Sequence, residues 1–189
     1  MKKSGNKFIS PVKLTVFSVL VLGLAGSVGF GLLYYRLNID WALGAAITFF
    51  MFAYHMIIRL LAPVIVFAFT RKKYDCNARR FRQKSFEPAL YRALRVKKWK
   101  GNVPAYNPDD FSLKNHSLEE IVNNTCHAET VHELIVILSF TSLFFAIPFG
   151  DFAVFLITAV LAAAVDCVFV IIQRYNRPRL IKIINMKNK

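Results

Sequence analysis

Apolar residues in this chain gather into four long blocks, with the charged residues confined almost entirely between them. A helix needs about twenty mostly apolar residues to cross a hydrocarbon core of about 30 Å, and residues 14–33, 41–69, 131–149 and 152–172 each supply such a stretch. The first is framed by Lys13 and by Tyr34, Tyr35 and Arg36, an aromatic and basic edge suited to the headgroup level. The second is interrupted only by His55, Arg59 and Pro63, and the fourth holds one acid, Asp166. A turn at Pro148, Phe149, Gly150 and Asp151 joins the third and fourth blocks into a tight helical hairpin. The pattern predicts an all-α, polytopic membrane protein with about four transmembrane helices and a cytoplasmic, interfacial helical loop. Three segments follow: a two-helix membrane region (residues 1–70), a basic loop (71–130), and a C-terminal hairpin with a basic tail (131–189).

Hydrophobic residues make up 56% of the 189, too many for one soluble domain, and the net charge of +14 is distributed unevenly. Lys2, Lys3, Lys7 and Lys13 precede the first block, thirteen Lys and Arg lie from Arg71 to Lys114, and six run from Arg174 to Lys189. Arg36 is alone in the first short connection, and the Pro148–Asp151 turn has no Lys or Arg. Because Lys and Arg in short loops are retained in the cytoplasm, the census predicts a multi-pass cell-membrane protein with both termini and the 71–130 loop cytoplasmic. Anionic lipid headgroups or phosphorylated substrates account for the basic face more economically than nucleic acid. A basic start, an apolar run and Ala25, Gly26 and Ser27 are also the ingredients of a cleaved secretory signal. Apolarity continuing from Val28 to Leu33 favours a retained anchor. Cys76, Cys126 and Cys167 have no paired spacing and read as reduced thiols.

In the basic loop, Phe86, Leu90 and Leu94 fall on one helical face with Arg92, Arg95 and Lys97 around it, the pattern of a helix lying in the interface. Gly101, Pro104 and Pro108 break regular structure, and Ser117-Leu118-Glu119-Glu120 offers a capping box for a helix that runs straight into the third span. On that helix Glu129, His132 and Glu133 share a face. A carboxylate beside an imidazole suits general-base catalysis; an ordinary polar helix start in headgroup water is the plain alternative. A Glu-x-x-His pair is also half of a di-iron site, but a second pair is missing, so no metal is expected.

His55 and Arg59 lie one turn apart inside the second block, where buried ionisable groups suggest function. Alternatively the helix ends near Arg59, which snorkels, and residues 60–69 lie shallow in the cytoplasmic leaflet. Asp166, eight residues before Arg174, is about 12 Å deep and calls for a partner within the protein, with His55 or Arg59 as candidates. After the fourth span, Arg174, Arg177 and Arg179 place three guanidinium forks at a helix end, suited to phosphate or carboxylate. A stop signal needs only positive charge, and the order Tyr-Asn-Arg-Pro-Arg is more particular than that.

The run Arg174-Tyr175-Asn176-Arg177-Pro178-Arg179-Leu180, the upstream Ala128-Glu129-x-x-His132, and the loop Tyr91-x-x-Leu94-x-Val96-Lys97-Lys98-Trp99-Lys100-x-x-Val103-Pro104 together resemble the glycosyl-4,4'-diaponeurosporenoate acyltransferase family. The resemblance covers residues 87–180, about half of the chain. It implies a small bacterial membrane enzyme of carotenoid biosynthesis that moves a fatty acyl chain onto a glycosylated carotenoid or glycolipid hydroxyl. In that light His132 is expected to be the base and Glu129 its orienting partner. Arg174, Tyr175, Asn176, Arg177 and Arg179, with Lys98 and Trp99, are expected to bind substrate, the arginines receiving an anionic acyl donor such as a thioester carrying phosphates. Such chemistry requires no cofactor, and the expected partners are membrane lipids, the donor and the acceptor. A non-catalytic membrane adaptor or lipid-binding accessory protein is the competing reading.

Overall fold

Each apolar block becomes a helix whose end residues explain where it starts and stops. α1, Pro11–Leu37, opens on proline, whose missing N–H is one of the unpaired donors of a first turn in any case, and it closes on Asn38 in the left-handed region at φ 50°. α2, Trp41–Thr70, continues unbroken through Pro63, so it does not end at Arg59. Arg71 and Lys72, at φ 48° and 56°, turn the chain out of it. The computed structural model describes residues 10–187; Lys2, Lys3, Lys7 and Lys189 of the charge census lie outside the described residues.

Beyond α2 the chain is irregular until α3, Glu87–Ala93, where Phe86, Leu90 and Leu94 are all exposed. Arg95 at φ 51° leads into α4, Val96–Trp99, and tight 3-10 turns follow at Lys100–Asn102 and Pro108–Phe111. α5, Leu118–Ser139, begins at the capping box: Ser117 Oγ accepts from the Glu120 N–H at 3.2 Å, and Glu120 Oε2 accepts from the Ser117 N–H at 2.8 Å. The helix tightens to 3-10 over Phe140–Phe145 and ends in α6, Ala146–Phe149. Pro148 and Phe149 are therefore helical, and the reversal is made by two residues, Gly150 at φ 70° and Asp151 at φ 45°. α7, Phe152–Lys187, then carries the Arg174–Arg179 motif inside a single long helix. Pro11–Leu37, Trp41–Thr70, Leu118–Phe149 and Phe152–Lys187 are long and apolar enough to cross a membrane, which makes this a multi-pass membrane protein; among the described residues there is no strand.

The chain divides into two compact units, Met1–Met56 with Pro104–Pro108, and Ile57–Val103 with Asp109–Lys189. In the second, α5 and α7 are the central pair. Ala159, Ala162 and Ala163 are buried on α7, as are Val131 and Ile135 on α5; small side chains let two helices approach where lipid supplies no hydrophobic driving force between them. Ile137, Phe144, Ile157 and Leu161 point outward, as residues facing acyl chains should.

In the first unit α1 meets α2 through glycines. Phe30 stacks on Phe49 with centroids 5.4 Å apart. A Cβ on Gly23 would lie 2.8 Å from the Ala53 backbone nitrogen and 3.0 Å from the Phe49 carbonyl oxygen, whereas one on Gly26 would meet only the Phe49 ring. A backbone cannot step aside, but a ring can rotate. Gly23→Ala is therefore expected to destabilise the detergent-solubilised protein by about 1–3 kcal/mol, as overpacking does, and Gly26→Ala by less. Thermal unfolding of the two variants side by side checks the order.

Candidate active site

The helix pair α5 and α7 brings ionisable residues together in two clusters. Glu129 is fully buried. Its Oε1 accepts from Arg174 Nη1 at 2.6 Å, and its Oε2 accepts from Arg177 Nη2. Arg174 reaches a second acid, Glu87 of α3, with Nε at 2.7 Å and Nη2 at 2.5 Å from Oε1. Tyr91, one turn along α3, donates its hydroxyl to Glu87 Oε2 at 2.9 Å. Burial, and then the Glu87 carboxylate, raise the Tyr91 phenol above its usual range, which keeps it a donor. Two guanidiniums thus face two carboxylates in a charge-balanced buried quartet.

The remaining guanidinium donors fix the loop before α3. Arg174 donates to the carbonyls of Arg80 and Arg82, each at 3.1 Å. Arg177 donates to the Phe81 carbonyl at 3.1 Å, to Thr125 Oγ1 at 3.0 Å and to the Thr125 carbonyl at 3.1 Å, and its Cζ stands 4.9 Å from the Phe81 ring centroid. The carbonyls of Arg80, Phe81 and Arg82 lie in a stretch without helix or sheet, and α7 supplies their donors. The expectation that Arg174 and Arg177 present forks to an acyl donor meets a different geometry: both forks are occupied by the protein's own acids and backbone. Arg179 is exposed, with its Cζ 3.9 Å from the Tyr175 ring centroid.

His132 belongs to the second cluster. Its Nδ1 lies 2.8 Å from Asp166 Oδ1, and the other carboxylate oxygen, Oδ2, accepts from Arg59 Nη2 at 2.5 Å. Arg59 is thus the partner that Asp166 required, and Asp166 is all but inaccessible. The imidazole lies flat on Phe169, with centroids 4.7 Å apart and planes 9° from parallel. An ionised Asp166 can only accept, so Nδ1 is the ring nitrogen that donates to it, and in the neutral imidazole Nε2 is then the one with the lone pair. Nε2 has no hydrogen bond to any described residue, and the side chain is 22% exposed.

The expected pairing of Glu129 with His132 is therefore not the one the fold makes. At about 100° per residue, Glu129 sits between His132 and Glu133 on the α5 surface, and each of the three finds a separate partner. Glu129 takes the arginines of α7, His132 takes Asp166, and Glu133 accepts from Arg80 at 2.5 Å near the surface. Two guanidiniums compensate a buried carboxylate far better than a neutral imidazole does.

Residues that spacing did not reveal also enter. Glu87 supplies one of the two carboxylates of the quartet. Cys126 donates its thiol to Cys76, with sulfurs 2.8 Å apart across fifty residues of sequence, although no motif joins them. That bond draws the Cys76 thiol below its ordinary pKa, against the effect of burial and with the help of Arg177. His127 meets the Tyr74 hydroxyl at 3.0 Å, and Tyr74 in turn meets Thr70 at 2.9 Å. Lys98 is exposed, and Trp99 donates its indole N–H to the Leu94 carbonyl at 2.8 Å. Tyr175 is buried, and Asn176 accepts from Lys100 at 2.5 Å. Among the described residues, no group of three or more His, Cys, Asp or Glu is placed to hold a metal ion.

Residues 77–186, more than half of the chain, match the family model described as glycosyl-4,4'-diaponeurosporenoate acyltransferase. The matched segment contains the whole quartet with the carbonyls it holds, and His132 and Asp166 of the second cluster; Arg59 lies before it. No curated protein and no solved structure matches the chain.

Glu129→Gln leaves two buried guanidiniums with one carboxylate between them, and breaking a buried pair in this way is expected to cost about 3–5 kcal/mol. Arg177→Lys keeps the charge but loses donors to Thr125, Phe81 or Glu129, so it too should lower the melting temperature in detergent and expose residues 71–86 to protease. Unchanged melting and cleavage in both variants would remove the quartet as a structural element.

Proposed function

We infer the function of this chain from two facts: it belongs to the glycosyl-4,4'-diaponeurosporenoate acyltransferase family, and His132 carries an aspartate on one nitrogen while the other has no partner among the described residues. Membership supports a membrane acyltransferase role. Our reading is that the chain transfers a fatty acyl group from an acyl thioester to a hydroxyl of a glycolipid or glycosylated carotenoid, with His132 as general base and Asp166, rather than Glu129, as its orienting partner.

The chemistry follows from the two ring nitrogens. His132 Nε2 takes the proton from the acceptor hydroxyl as that oxygen attacks the acyl carbonyl. The carbon–oxygen bond forms, the carbon–sulfur bond breaks, and the imidazolium returns its proton to the leaving thiolate. Asp166 holds Nδ1–H throughout and stabilises the transient imidazolium, as the buried aspartate of a catalytic triad does. Arg59 keeps Asp166 in place, and Phe169 fixes the plane of the ring. The observation that carries this reading is the 2.8 Å contact between His132 Nδ1 and Asp166 Oδ1.

Acyl transfer by the purified chain, followed as esterified product in lipid extracts, tests it. His132→Ala should abolish transfer while the protein stays in the membrane with an unchanged melting temperature. Asp166→Asn should lower kcat by about 10²–10⁴-fold with little change in KM, because the wrong tautomer then faces the substrate. Full activity from His132→Ala would remove His132 from the mechanism.

The census of basic residues supports an orientation with both termini and the 71–130 loop in the cytoplasm. In a background lacking Cys76, Cys126 and Cys167, single cysteines at Asn38 and Gly150 should react with an impermeant maleimide outside sealed cells, and one at Asn107 should not. Labelling at Asn107 would reverse the assignment.

A further inference from the structure

Most guanidiniums near the candidate site are spent on acids: Arg59 on Asp166, Arg80 on Glu133, Arg174 on Glu87 and Glu129, and Arg177 on Glu129. Two cations on the Tyr175 ring depart from this. Arg179 stacks on it at 3.9 Å from Cζ to the centroid, and Lys100 Nζ lies 5.0 Å from the same centroid. Neither has a carboxylate within ion-pair distance among the described residues. Arg179 makes no hydrogen bond to a described residue, so the edge of its fork is available; Lys100 uses one of its three protons on Asn176 Oδ1, at 2.5 Å.

Like charges brought together without a counter-charge raise the energy of the free protein. Burial, and then Arg179, push the Lys100 ammonium below its ordinary pKa. The platform beneath them is rigid. Tyr175 is buried edge-on against Tyr91, with centroids 5.3 Å apart, and packs with Val96, Trp99 and Ile171. Arg174 and Arg177 of the quartet flank Tyr175 on α7 and anchor the same helix. Two cations without a counter-charge on one fixed ring, one of them with a free planar fork, suit a phosphate group.

We propose that Lys100 and Arg179 form the subsite for the phosphate-bearing end of the acyl donor. This rests on the acyltransferase reading above. Arg179 lies thirteen residues along α7 from Asp166, about 20 Å by helical rise. A donor anchored at Arg179 must therefore carry its thioester on a long flexible arm to reach His132. That selects thioesters of the phosphopantetheine type, such as acyl-coenzyme A, over short acyl phosphates. An anionic lipid headgroup presents the same phosphate chemistry, and the experiment separates the two.

The full chain is reconstituted in nanodiscs of phosphatidylcholine and titrated with coenzyme A, which binds without turnover, by isothermal calorimetry. Saturable binding that pyrophosphate displaces is expected. Arg179→Gln and Lys100→Gln should each weaken it about tenfold or more, the size of one lost charge-assisted hydrogen bond, and Arg179→Lys should weaken it by less. Arg179 is exposed, so its variants are expected to melt like the parent. Lys182→Gln should bind as the parent does, and so should His132→Ala, which keeps this result independent of the catalytic one. Absence of binding, or equal binding by the parent and the Gln variants, would overturn the subsite. A second titration in discs of phosphatidylglycerol decides the source: retained affinity supports the donor, whereas affinity lost in the parent assigns the subsite to lipid headgroups and overturns the donor proposal.

Discussion

The buried exchange between Arg174 and Arg177 of α7 and Glu87 and Glu129 is the interaction on which the rest of the second unit depends. Removing four charges from water is costly, and the cost is offset only when charge and hydrogen bonding are both complete. Here two positive groups meet two negative ones, and the spare guanidinium donors end on the carbonyls of Arg80, Phe81, Arg82 and Thr125. The irregular loop before α3 thereby gains a defined position without secondary structure of its own. One helix reads the loop, α3 and α5 simultaneously.

That completeness has a consequence for the histidine. His132 lies one turn beyond Glu129 on α5, and Asp166 lies two turns before Arg174 on α7, so both clusters span the same pair of helices. A slide of one residue between those helices, about 1.5 Å, would break a hydrogen bond of 2.8 Å between His132 and Asp166. The quartet fixes the register at which the histidine meets its aspartate. In this arrangement Glu129 serves the site by holding the helices and not by touching the ring.

Among the described residues, positive charge is used in several ways, three of which bear on the site. Some basic residues are internal struts, as Arg177 is; some meet acids near the surface, as Arg80 does; and Lys100 and Arg179 lie against one aromatic ring without an acid. A net charge of +14 is consistent with all three, because composition counts charges without saying what each one faces.

The sequence by itself determined the helical spans, because crossing hydrocarbon demands length and continuous apolarity, and both are properties of consecutive residues. It also determined the start of α5, since a capping box is local, and it singled out Glu129, His132 and the Arg174–Arg179 motif as chemically unusual. Only the tertiary structure decided which of these meet. Glu129 and His132 are neighbours on α5, yet their partners come from α7, forty-five and thirty-four residues away. Glu87 and Cys76 had no signal at all, because their importance comes from residues brought close by packing. Helical spacing fixes which side chains share a face of one helix; which face of another helix they meet is set by how the two pack, and a buried carboxylate takes the strongest counter-charge that packing offers.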